Sequence, residues 1–107
     1  MLEQAGEILI PVTVLGELHA GFQLGARAKE GLGELNKFLA QPGVRVLDVT
    51  DAVAERYGVI IKLLKKQGTP IPTNDVWIAA TIMETGARLA AYDARFSLIP
   101  GLLVETP

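Results

Sequence analysis

Three acids, Glu17, Asp75 and Asp93, stand beside apolar runs where a carboxylate could do chemistry. Asp75 lies in Ile71-Pro72-Thr73-Asn74-Asp75-Val76-Trp77-Ile78-Ala79-Ala80-Thr81. Pro72 biases Ile71 toward extended backbone, and Thr73 or Asn74 can cap a following helix, because either side-chain oxygen reaches a free N–H of the first turn. Val76, Ile78, Ala79, Ala80, Ile82 and Met83 then make an apolar face too broad for a surface helix. The segment predicts a buried helix with Asp75 in its first turn, where the helix dipole favours an anion whatever its role. Asp93 ends Arg88-Leu89-Ala90-Ala91-Tyr92-Asp93, which reads as a short buried strand. The carboxyl ends of strands in an open α/β sheet are where ligands bind; an Asx turn is the structural alternative. Glu17 interrupts the apolar helical run Val12-Thr13-Val14-Leu15-Gly16-Glu17-Leu18, either as a functional acid or as an edge carboxylate paired with Lys or Arg. Together they suggest a carboxylate cluster. Carboxylates brought together repel unless a hard cation such as Mg²⁺ lies between them.

The elements that must position these acids follow from apolar spacing and punctuation. Met1 to Ala5 reads as the end of a helix with Gly6 as its C-cap. Glu7-Ile8-Leu9-Ile10 is the nearly continuous apolar run of a strand buried on both faces, and Pro11 ends it. A helix follows over about 12–24, with Leu15, Leu18 and Phe22 as its core stripe and Val14, Glu17 and Gly21 on a neighbouring face. Gly16 and Gly21 each cost about 1 kcal/mol against Ala inside a helix. That points either to another backbone passing close or to a helix held by packing alone. A second helix over about 28–40, with Leu32, Leu35 and Leu39 inward, pairs with the first as a helical hairpin. Val44-Arg45-Val46-Leu47 is a strand. Thr50 caps a long helix with Asp51 in its first turn and Val53, Tyr57, Ile60, Ile61 and Leu64 inward. Lys62, Lys65 and Lys66 lie near its C-terminus, where cations suit the dipole. Gly86 ends the Asp75 helix; a strand at 88–92, a turn at Phe96-Ser97-Leu98 and a last strand at 102–104 complete the chain. This order is that of a three-layer α/β fold with a mostly parallel sheet, in one domain spanning 1–107.

The 107 residues suffice for a single domain with its own core. Half the residues are apolar and 21% are charged, a globular composition. The absence of cysteine excludes disulfides and thiolate metal sites and fits a reducing, cytoplasmic compartment. No apolar run reads as a membrane span, and no basic segment precedes an apolar one as in a signal peptide. A formal charge of −2 is not the footprint of a nucleic-acid coat protein. It is compatible with a nuclease whose metal-holding acids lower the net count while a local basic rim attracts phosphate.

Gly16-Glu17-Leu18, then Asn74-Asp75-Val76-Trp77-Ile78-Ala79-Ala80, then Tyr92-Asp93-Ala94-Arg95-Phe96, then Ile99-Pro100-Gly101-Leu102 resemble, in order and spacing, the PIN domain, and most closely the VapC-type toxins of toxin–antitoxin pairs. The resemblance covers nearly the whole chain. It implies a metal-dependent endoribonuclease in which Glu17, Asp75 and Asp93 hold one or two Mg²⁺ or Mn²⁺ ions for phosphodiester hydrolysis. It further implies an RNA substrate, a homodimer, and a cognate antitoxin whose C-terminal segment blocks the acidic pocket. PIN domains open with a strand ending in Asp, placed centrally in the sheet. No such strand precedes Glu7–Ile10, so relative to the family the chain reads as N-terminally truncated, without the first central strand and its Asp. Ala91 also stands where the family often has Thr or Ser. The alternative function is a non-catalytic PIN-like module that binds an antitoxin or RNA without cutting.

Around the acids, Asn74 reads as a cap that can also contact a metal-bound water. Arg95, two residues past Asp93, can reach a scissile phosphate. Trp77 can stack on a base or pack as a partly buried residue. His19, the only histidine, has no Cys or second His to form a metal site and reads as a surface or interface residue. One His and no Cys leave too little for a nucleophilic triad. Gly31-Leu32-Gly33 lies inside a predicted helix, not after a strand, so it is not a dinucleotide loop. A phosphoacceptor receiver fold would need paired acids after its first strand and a late Lys; Ile8-Leu9-Ile10 runs into Pro11, and no Lys follows residue 66.

Overall fold

A computed structural model of the protein, describing residues 2–4, 6–90 and 94–105, begins with an antiparallel hairpin. Strand β1 (Leu2–Gln4) pairs with β2 (Glu7–Pro11), Leu2 opposite Leu9 and Gln4 opposite Glu7. The helix end expected before Gly6 is therefore corrected to a strand. Gly6 has φ +83°, a left-handed conformation that glycine adopts without strain and that a two-residue hairpin connection needs. The same property serves a helix C-cap, so the residue type alone does not separate the two.

On its other side β2 runs parallel to β3 (Val44–Leu47), with Ile8 opposite Val44 and Pro11 opposite Leu47. Leu9, Ile10 and Pro11 are fully buried, as its apolar run requires. The crossover between these strands is the helical hairpin of α1 (Val12–Leu24) and α2 (Ala28–Leu39). Helix α3 (Asp51–Gln67) follows, then α4 (Thr73–Met83). Strand β4 (Leu89–Ala90), a 3-10 turn at Ala94–Leu98 and β5 (Val104–Glu105) come last. Leu89 lies opposite Val104 in a parallel pair. The fold is α/β with parallel strand pairings and helical crossovers, as expected. Among the described residues the strands form two sheets, β1-β2-β3 and β4-β5.

Helix α3 is bounded as its sequence predicts. The Thr50 side chain accepts the Val53 N–H at 3.3 Å, and Gly68, at φ +74°, closes the last turn by donating to the Leu64 and Lys65 carbonyls. Val53, Ile60 and Leu64 are buried against α4, where Val76, Ile78, Ala79, Ala80, Thr81 and Ile82 are buried in turn. Thr81 is the polar member of this run, and its hydroxyl donates to the Trp77 carbonyl at 2.8 Å. Such a bond removes most of the cost of burying a hydroxyl.

Helix α1 departs from expectation on two counts. It has no fully buried residue: Leu15 and Phe22 are half-buried and Leu18 is 38% exposed. Two members of the predicted core stripe, Leu18 and Phe22, instead wall a cleft of about 450 Å³ together with Val14 of α1 and Leu35 and Phe38 of α2. A Cβ at Gly16 or Gly21 would meet nothing within 4 Å, so neither marks a close backbone. The tight approach is at Gly31 of α2, where a Cβ would stand 2.5 Å from the Phe22 ring.

Candidate active site

Asp75 owes its position to the way α4 starts. Pro72 occupies the capping position at ψ 140°, and its carbonyl accepts the N–H groups of Asp75 at 3.1 Å and Val76 at 3.3 Å. No side chain caps this helix. The capping role expected of Thr73 or Asn74 is therefore corrected: both are already helical, and a cap must precede the first helical residue. Asn74 is left to reach across to α1. Its Nδ2 donates to Glu17 Oε1 at 2.6 Å, joining residues 57 apart in the chain. Glu17 thus meets the first turn of α4, and its partner is an amide rather than a Lys or Arg.

Arg95, in the 3-10 turn, sets a guanidinium nitrogen 3.7 Å from Asp75 Oδ2. The Asp75 side chain is only 15% exposed, whereas Arg95 is half open to solvent. The structure therefore brings Glu17, Asn74, Asp75 and Arg95 to one end of the molecule. Asp93 lies outside the described residues. Among the described residues no three acids or imidazoles gather into a metal-holding group.

Trp77 is held from the other side. Its ring stacks on Tyr57 of α3, centroids 3.9 Å apart and planes 15° from parallel, so one face is already covered. His19 is exposed and edge-on to Phe22, with centroids 6.1 Å apart. Glu84 pairs with Arg56 at 2.5 Å and ties the end of α4 to α3. Two links escaped the sequence reading, Asn74 to Glu17 and Arg95 to Asp75. For the second, an available signal was an Arg close in the chain to one acid and free to approach another.

The donor chemistry at this end is oxygen only: the carboxylates of Glu17 and Asp75 and the amide oxygen of Asn74. Such a set fits a hard divalent cation such as Mg²⁺ or Mn²⁺, not a thiophilic or imidazole-seeking one.

With that geometry in view, comparison with known proteins places the chain. The PIN domain family model matches residues 1–102, and the chain belongs to the PIN domain family. It is 26% identical over 97 residues to Ribonuclease VapC4 of Mycobacterium tuberculosis, covering 91% of this chain and 75% of that relative. Among solved structures it resembles VapBC2 from Rickettsia felis bound to a DNA fragment from their promoter, with TM-score 0.85, 27% identity, and 92% of this chain and 74% of that chain covered. DNA-bound VapBC from Salmonella typhimurium matches with TM-score 0.83 and 26% identity, over 91% of this chain and 73% of that one. The chain is thus a PIN domain similar to the VapC toxins of toxin–antitoxin systems.

Proposed function

We propose that this chain is a divalent-metal-dependent endoribonuclease, the toxin component of a VapBC-type pair, hydrolysing RNA phosphodiesters. The observation that carries the reading is the Asn74–Glu17 hydrogen bond, which draws an acid from α1 to the turn that bears Asp75. The similarity to a named ribonuclease supports the substrate class.

Glu17 and Asp75 would hold Mg²⁺ or Mn²⁺, with Asp93 as the third acid. When bound, the ion supplies charge neutralisation at the phosphate and activation of the attacking water. Asn74 fixes the Glu17 carboxylate. Arg95 pairs with Asp75 and would hold a phosphate oxygen of the substrate. Trp77, half-buried with one ring face on Tyr57, would stack on a base. A fourth acid on a strand ahead of Glu7–Ile10, as in the family, would complete the set. The partners we infer are a VapB-type antitoxin whose C-terminal segment covers the acidic pocket, and a second copy of the chain in a homodimer. No helix among the described residues is long and apolar enough to cross a membrane, and we place the activity in the cytoplasm.

The test is Mn²⁺ binding and RNA cleavage by the chain and by its Glu17→Gln, Asp75→Asn and Asp93→Asn variants. The reading expects Mn²⁺-dependent cleavage that each substitution abolishes. Binding of Mn²⁺ and RNA without cleavage would assign the chain to the non-catalytic PIN-like class.

A further inference from the structure

Three of the five lysines in the chain, Lys62, Lys65 and Lys66, fall within five residues of α3. Their spacing of three and four puts them on one face of the helix, spread over about 6 Å of its axis. All three are exposed, and among the described residues none is in an ion pair. The acids of α3, Asp51 and Glu55, lie toward its other end. Attraction to the helix dipole accounts for Lys65 and Lys66 in the last turn but fades within that turn. Lys62 lies beyond it. A cluster of this kind on a chain of net charge −2 is a local positive field against a negative background.

Its location gives the field a direction. Five residues separate the end of α3 from the start of α4, and Lys65 shares a small apolar cleft of about 290 Å³ with Gly68, Pro70 and Ile71. Ile71 is four residues ahead of Asp75. From the other side, Gln67 Nε2 donates to the Leu98 carbonyl at 3.1 Å, tying the end of α3 to the turn that carries Arg95. Arg95 in turn lies on Asp75. The end of α3 that bears the lysines is thus linked through Gln67 and Leu98 to the turn of Arg95, and through Arg95 to Asp75.

We propose that the face of Lys62, Lys65 and Lys66 is the track along which a single-stranded RNA backbone enters or leaves the acidic pocket. This rests on the ribonuclease reading and adds to it where the flanking phosphates lie. Lysine meets phosphate as a point charge, without base readout, so the track is indifferent to sequence and contributes affinity rather than choice of site.

The experiment measures binding of a fluorescent single-stranded RNA oligonucleotide by anisotropy across a salt series. It is run in EDTA, where the proposed cleavage is off, for the unaltered chain, the Lys62→Gln/Lys65→Gln/Lys66→Gln variant and the matching triple Arg variant. Each phosphate neutralised on a single strand adds about 0.7 to the slope of log affinity against log salt. The Gln variant should therefore lose about 2 from that slope, and the Arg variant should keep it. Circular dichroism and melting confirm that both variants fold, and Mn²⁺ binding by the Gln variant should match that of the unaltered chain. An unchanged slope in a chain that does bind RNA overturns the track while leaving the ribonuclease reading in place. No RNA binding in EDTA and no cleavage with Mn²⁺ by the unaltered chain overturns both.

Discussion

Asn74→Asp tests whether Glu17 and the first turn of α4 share one site. The substitution keeps the shape of the side chain but replaces the donor at 2.6 Å from Glu17 Oε1 with a second carboxylate. Two costs follow. A hydrogen bond to a charged group contributes about 1.5–3 kcal/mol where shielded, and about 1 kcal/mol is appropriate for this exposed pair. Two unit charges 4 Å apart repel by about 1 kcal/mol in water and about 4 kcal/mol at an effective dielectric of 20; exposure again favours the lower figure. Less the few tenths of a kcal/mol that the helix dipole returns to a carboxylate in the first turn, the sum stays near 2 kcal/mol, or roughly 10 °C in melting temperature for a domain of this size. Asn74→Ala loses only the hydrogen bond and should fall by about half as much. The two variants should converge near 1 M salt, where the screening length is about 3 Å. Mg²⁺ should then favour Asn74→Asp, because the new carboxylate adds an oxygen ligand where the cation binds. Thermal unfolding followed by circular dichroism, at low and high salt and with and without Mg²⁺, reads all four effects. If Asn74→Asp melts at or above Asn74→Ala in low salt without divalent ions, Glu17 is not within Coulomb reach of residue 74 and the shared site is refuted.

Arg95→Ala should tighten Mn²⁺ binding by up to about fivefold, the worth of an exposed ion pair that no longer competes for Asp75, while weakening RNA cleavage; calorimetric titration showing weaker Mn²⁺ binding would count against that competition. Trp77→Ala removes the stack on Tyr57 and should cost about 3 kcal/mol by urea denaturation, the low end for an aromatic truncation because the ring is only partly buried. Gly16→Ala and Gly21→Ala, each opening onto free space, should stabilise the chain by up to about 1 kcal/mol apiece; a loss of stability in the same urea assay would mean that something packs there after all.

The helices were legible because long runs of apolar residues at helical spacing are closed off at both ends. Pro11 and Gly25 bracket α1, and Thr50 and Gly68 bracket α3. Burial was less legible. Periodicity says which residues share a side of a helix, not whether another element covers that side. Leu18 and Phe22 do share a side of α1, yet what they meet is a cleft shared with α2. Ambiguity also arose where one residue type has two uses: Gly6 serves a hairpin where a helix cap was expected, and Asn74 serves Glu17 where a helix cap was expected. The meeting of Glu17 with the Asp75 turn is a long-range fact that local pattern cannot carry. It was expected through the order of family motifs, and the hydrogen bond to Asn74 supplies its geometry.

The two described acids are held in different ways, and that difference shapes how the site can respond to a ligand. Asp75 projects from a helix whose following turns are inaccessible: Val76, Ala79, Ala80 and Ile82 have no exposed surface. Its position is set by the packing of α3 on α4, reinforced by the Tyr57–Trp77 stack and the Arg56–Glu84 pair. Interiors packed at crystal-like density do not deform continuously, so Asp75 is a fixed point. Glu17 projects from α1, which buries no residue fully and borders an open cleft. One hydrogen bond from Asn74 aligns its carboxylate. For a hard divalent cation, Asp75 would therefore be the fixed oxygen donor and Glu17 the movable one, with Asn74 limiting how far Glu17 can swing.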